Sequence, residues 1–107
     1  MSDLPKMVEI HEEGPREGFQ IEPGPISTAD KVKLIDALSE TGLKHIQICS
    51  FVNPRLVPGW SDAEAVVEAF NPVKDVTYTG LYFNGNGLDR ALHYKSKLTL
   101  SGSISLT

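Results

Sequence analysis

The sequence predicts an α/β fold built on a parallel sheet, and three observations carry that expectation. Strand-like runs alternate with helix-like runs along the chain, the pattern that successive βα units leave in a sequence. Gly, Pro and Asn mark the junctions, at Gly14-Pro15, at Gly24-Pro25 and in the cluster 84–87. Charge gathers directly after the first strand-like run, where Arg16 and Glu17 stand side by side. Parallel α/β folds collect their catalytic groups at that carboxyl end of their strands.

Taken in order, residues 1–7 read as a polar leader. Val8 and Ile10 alternate with polar neighbours and predict a first strand over 8–13, ended by Gly14-Pro15 because proline has no amide proton for pairing. Gly18 leaves room for close approach of a ligand or of backbone. Residues 21–26, with Pro23, Gly24 and Pro25, predict an ordered loop. Ser27 or Thr28 caps the helix that follows, and Asp30 places a carboxylate in its positive first turn. Val32, Ile35, Leu38 and Ser39 share one face of it, and Gly42 is its stop.

Residues 44–51 predict the second strand, with Ile46 and Ile48 on one face and His45, Gln47 and Cys49 on the other. Pro54 and Pro58 then fix a loop, Trp60 packs at a helix entrance, and Ser61 or Asp62 starts a helix with Ala65, Val66, Ala69 and Phe70 as its apolar face. Residues 76–83 are β-branched and aromatic and predict a third strand. The Asn84–Gly87 cluster reads as a turn, lacking the spacing of a dinucleotide fingerprint, and Leu88, Ala91 and Leu92 give a short helix. Residues 98–106 predict a fourth strand, with Ser103 and Ser105 directed inward.

The 107 residues suit one modest domain, and a formal net charge of -4 with scattered Lys and Arg argues against a nucleic-acid binder. No apolar run approaches a membrane span, so no membrane partner and a cytoplasmic location are expected. A single cysteine, Cys49, excludes an internal disulfide and a Cys-rich zinc site. The histidines stand at 11, 45 and 93 and form no His-x-His pair.

Four segments in register along the chain carry more information than any one of them. GPREGFQ at 14–20, IST at 26–28, SFVNPRLVP at 50–58 and SGSISLT at 101–107 resemble the N-terminal part of the hydroxymethylglutaryl-CoA lyase family, within the metal-dependent lyase TIM barrels. The resemblance implies three to four βα units of a (β/α)8 barrel. A complete barrel takes about 250 residues, so residues 1–107 are expected to be the N-terminal fragment of a single TIM-barrel lyase domain.

The resemblance also implies chemistry. It assigns Arg16 as the catalytic residue that stabilises a developing enolate, Glu17 as a ligand of a divalent metal (Mg or Mn), and Gln20, Gln47, Ser50 and Asn84 as substrate-binding residues. Glu12 is expected to face the barrel interior and His11 to be an outward or packed residue. Glu17 stands where most lyases of the family have aspartate, and Gln47 where they have an active-site glutamate. An amide orients a substrate but is no general base. The expected partners are an acyl-CoA substrate and, for a full-length chain, further copies of itself in a homo-oligomer. Cys49 is expected to be a packed thiol and Arg55 a solvated one-off cation. An acyltransferase of the same superfamily, condensing acetyl-CoA with a keto acid, and a catalytically silent fragment are the competing readings.

Overall fold

The computed structural model describes residues 3–103. Four strands, β1 (His11–Glu12), β2 (His45–Phe51), β3 (Thr77–Tyr82) and β4 (Thr99–Gly102), form one parallel sheet in the order β1-β2-β3-β4. Strands that follow one another in both sequence and space, all parallel, are the winding of a TIM barrel, and this sheet with its helices is the N-terminal part of one. The connections carry helices α1 (Gly14–Ile21), α2 (Thr28–Ser39), α3 (Ala63–Ala69) and α4 (Gly85–Leu92), with a 3-10 turn at Pro58–Trp60.

Register identifies the two faces. Tyr78 donates its hydroxyl to Ser39 Oγ of α2 at 2.7 Å and packs on Phe70, so its side of the sheet is the helix-covered one. Tyr78 pairs with Ile46, and Ile46 with Glu12. His11, His45 and Thr77 therefore share the opposite, inner face, because residues in register on parallel strands point the same way. The core lies on the helix side, where Ile35, Ile46, Phe51, Val66, Val67 and Phe70 are buried.

This assignment corrects the expectation for the first strand. His11, not Glu12, lies on the inner face. The strand is also shorter than 8–13, with Val8 and Ile10 exposed. Since His11 pairs with His45, residues before 11 stand opposite the α2–β2 turn, where Gly42 adopts φ 91° and the chain offers no strand to pair with.

The second strand carries an irregularity that alternation does not reveal. Gln47 pairs with Thr79 but Cys49 pairs with Gly80, so β2 holds one extra residue and its facing shifts there. Gln47 and Ser50 share the inner face, while Cys49 joins Phe51 and Gly80 on the helix side. The expectation that Gln47 and Cys49 share a face is thus overturned.

The helices differ from expectation in three places. Residues 14–21 form α1 where the sequence suggested only a break, because Pro15 sits in the first turn, where a missing N–H costs nothing. Helix α2 begins as expected, with Ser27 Oγ accepting from the Asp30 amide at 3.1 Å. In α3 the buried face is Ala63, Val66, Val67 and Phe70, and Ala65 and Ala69 are exposed. The cluster 84–87 is a helix start: Asn84 Oδ1 accepts from the Gly87 amide at 2.8 Å and caps α4. Strand β4 ends at Gly102, Ser103 is exposed, and Ser105 lies outside the described residues.

Candidate active site

Arg16 is the centre of the site, and its position follows from how α1 leaves β1. Gly14 donates its amide to Glu12 Oε1 at 2.7 Å, turning the chain from strand into helix. Glu17 N then donates to Glu13 O at 2.9 Å, the first helical bond. That turn lays the Arg16 side chain over the inner face of β2. Its Nε donates to Gln47 Oε1 at 2.7 Å. Its Nη2 donates to Glu17 Oε1 at 3.0 Å and lies 3.5 Å from Glu13 Oε2. The Arg16 side chain is 14% exposed and Gln47 is buried, so the Arg16–Gln47 bond is largely shielded from water.

The backbone of α1 is fixed as well. The fully buried Trp60 donates its Nε1 to Arg16 O at 2.9 Å. Lys31 stands over the Trp60 ring at 4.6 Å and is itself buried, its Nζ donating to Gly59 O at 2.5 Å and to Asp62 Oδ1 at 2.6 Å. Asp62 accepts a further bond from Thr28 at 2.6 Å. Sequence reasoning placed Trp60 at a helix entrance but missed Lys31, which lies one position before the apolar Val32. The signal available was its spacing of four to Ile35, which with Ser39 a further turn on forms the buried stripe of α2.

The remaining expected residues separate into three situations. Ser50 Oγ is fully buried on the inner face and has no hydrogen-bond partner among the described residues. Asn84 stands past the carboxyl end of β3, exposed, with its carbonyl committed to the α4 cap. Gln20 is exposed at the end of α1 and lines a groove of about 520 Å³ with Phe19, Lys31 and Asp62. The structure thus brings Arg16, Glu17 and Gln47 into contact, and leaves Gln20, Ser50 and Asn84 apart from that contact. Cys49 lies outside the site: burial pushes its thiol far above the ordinary range, helped by the nearby Glu64 carboxylate, so it is an inert packed group.

Comparison with known proteins bears on this arrangement. No protein-family model matches the chain. The chain is 48% identical over 88 residues to a hydroxymethylglutaryl-CoA lyase of Bacillus subtilis, covering 82% of this chain and 29% of that one. It is 44% identical over 106 residues to the mitochondrial hydroxymethylglutaryl-CoA lyase of Macaca fascicularis, covering 98% of this chain and 33% of that one. The crystal structure of the Pseudomonas aeruginosa hydroxymethylglutaryl-CoA lyase superposes with a TM-score of 0.86 at 37% identity, over 94% of this chain and 33% of that one. The chain belongs to the hydroxymethylglutaryl-CoA lyase family.

It spans about a third of the length of the lyases it matches. A further family structure, from A. baumannii, is described in complex with coenzyme A and 3-methylmalate and superposes with a TM-score of 0.83 at 36% identity, over 94% of this chain and 33% of that one. Among the described residues no helix is long and apolar enough to cross a membrane.

The lyase family implies a divalent metal, and the residues present do not complete its site. Glu17 is 62% exposed and paired with Arg16. Among the described residues it joins no convergent group of three His, Cys, Asp or Glu donors. One carboxylate falls short of the several oxygen donors that a hard cation takes.

Proposed function

We propose that this chain supplies the Arg16 half of a lyase active site that cleaves a carbon–carbon bond in a 3-hydroxyacyl-CoA thioester of the hydroxymethylglutaryl-CoA type, releasing acetyl-CoA and a keto acid. The supporting observation is the shielded Arg16–Gln47 contact at 2.7 Å, in a chain 48% identical to a lyase of this name. Cleavage leaves negative charge on the thioester oxygen of the departing enolate. A guanidinium held in place beforehand stabilises that charge without reorganising, which is the largest single contribution in many such sites. Gln47 carries no charge, so it orients Arg16 through its carbonyl while leaving the cation available to substrate.

Ser50 and Asn84 are assigned to the substrate. A buried hydroxyl without a partner costs about 1–3 kcal/mol, a cost that a substrate carboxylate or carbonyl oxygen accepting from Ser50 would remove. Asn84 retains its amide N–H groups at the strand end, and Gln20 borders the groove at the end of α1. Glu17 contributes one oxygen to a Mg or Mn ion whose other ligands lie outside this chain. Residues 1–107 serve as one portion of a single barrel domain, whose full form takes acyl-CoA and assembles with copies of itself.

Grafting this chain in place of the matching segment of the Bacillus subtilis lyase tests the division of roles. Arg16→Met is expected to lose turnover by about 100-fold or more while the graft still binds Mn, whereas Glu17→Gln loses metal binding and turnover together. Equal loss of Mn binding in both variants would show that Arg16 and Glu17 do not have separate tasks.

A further inference from the structure

The inner face carries a second constellation, at the opposite end of the strands from Arg16. The register that pairs His11 with His45 sets the two imidazoles side by side, with ring centroids 4.1 Å apart and planes within 2° of parallel. Glu9, two residues before His11, reaches the same place. Its Oε1 lies 3.0 Å from His11 Nε2 and in still closer contact with His45 Nε2. All three donor atoms fall within 4.8 Å of one another. Two imidazole N–H groups donating to one carboxylate oxygen satisfy this arrangement, and a cation ligated by the same three atoms would take the place of those protons.

We propose that Glu9, His11 and His45 form a metal site for Zn(II) or a similar imidazole-preferring transition ion, separate from the cation assigned to Glu17. Two histidines and one glutamate are a donor set used by zinc, with bonds of about 2.0–2.2 Å and a fourth position left open. Tetrahedral bonds of that length separate their donors by about 3.4 Å, and because parallel stacked rings cannot both aim a nitrogen at one ion, binding turns at least one imidazole out of the stack. Imidazole selects against Mg and Mn, which take oxygen donors, so the two sites differ in the ion they accept. The backbone fixes His11 and His45 on adjacent strands, and their side chains are 58% and 28% exposed, which leaves the ion a path inward. A cavity of about 690 Å³, bounded by Met7, Val8, Ile10 and Leu43, is also lined by two of the three donors, Glu9 and His45, and has room for water or a small anion.

The inference does not rest on the lyase reading, since Gln47 and Arg16 take no part in it. Calorimetric titration of the metal-stripped, tag-free 107-residue chain with Zn(II) at pH 7.5 tests it. One equivalent is expected to bind with a Kd in the micromolar range or tighter. Loss of an outer partner of a zinc ligand already weakens binding about 10- to 100-fold, so His11→Gln and His45→Gln are each expected to weaken it more than about tenfold. Glu17→Gln and His93→Gln are expected to leave it unchanged. Co(II) substituted at the site is expected to show the intense visible absorption of a tetrahedral centre and to lose it in His11→Gln, with far-UV circular dichroism unaltered. Substoichiometric uptake, or an equivalent that survives in the double variant His11→Gln/His45→Gln, would overturn the proposal.

Discussion

Gln47 decides how Arg16 behaves. Its carbonyl accepts from Arg16 Nε at 2.7 Å. The guanidinium already makes this bond charge-assisted; a glutamate at this position would turn it into an ion pair and would add a group able to move a proton. The amide does neither. In the grafted lyase, Gln47→Glu is therefore expected to raise kcat/KM for hydroxymethylglutaryl-CoA, relative to other 3-hydroxyacyl thioesters, by about 100-fold or more, the usual contribution of a general acid or base. Efficient cleavage of hydroxymethylglutaryl-CoA by the unmodified graft, with no gain from the substitution, would show that the amide is a neutral replacement. The Arg16–Glu17 adjacency was legible in the sequence because those side chains are neighbours in the chain. The Arg16–Gln47 contact was not, since it spans 31 positions and depends on the turn of α1 over β2.

Elements are positioned here by close backbone approach at glycines as much as by side-chain packing. A Cβ at Gly87 would meet Phe51 O at 2.5 Å and Tyr82 Cβ at 3.3 Å, so α4 lies directly against the ends of β2 and β3. Gly18, in α1, has nothing within 4 Å of the corresponding position. Both sit in helices, where alanine is intrinsically favoured over glycine by about 1 kcal/mol. Urea unfolding should separate the two: Gly18→Ala stabilises by about 0.4–1 kcal/mol, while Gly87→Ala destabilises by about 1–3 kcal/mol through overpacking. A stabilising Gly87→Ala would mean that α4 is not held against the sheet as described.

The same elements show where periodicity succeeds and fails as a guide. Helix α2 and strand β3 were readable because each has one cap or one run of β-branched residues governing it. Helix α1 was hidden by Gly14-Pro15, a breaker in mid-helix but a suitable start in the first turn. The facing of Cys49 was hidden by an extra residue in β2 that leaves no mark in composition.

At the scale of the whole molecule, the sheet is open at both edges among the described residues. Strand β1 pairs only with β2, and β4 only with β3. Open parallel edges present unpaired amides and carbonyls to any strand of matching direction, and the inner face joins them with Arg16, Gln47 and Ser50. The chain spans about a third of its relatives' length, and under the proposed function it carries Arg16 and one carboxylate ligand, a part of the chemistry only. Turnover is therefore expected to be absent from the 107-residue chain alone, and from the complementary two thirds of the Bacillus subtilis lyase alone. Mixing them is expected to restore metal-dependent cleavage of hydroxymethylglutaryl-CoA with a saturable dependence on chain concentration, as the added strands extend the sheet. Arg16→Met in the added chain should leave association intact, measured by sedimentation, while removing the restored activity. Turnover by the isolated chain would contradict this division, because its site would then need nothing that the other two thirds supply.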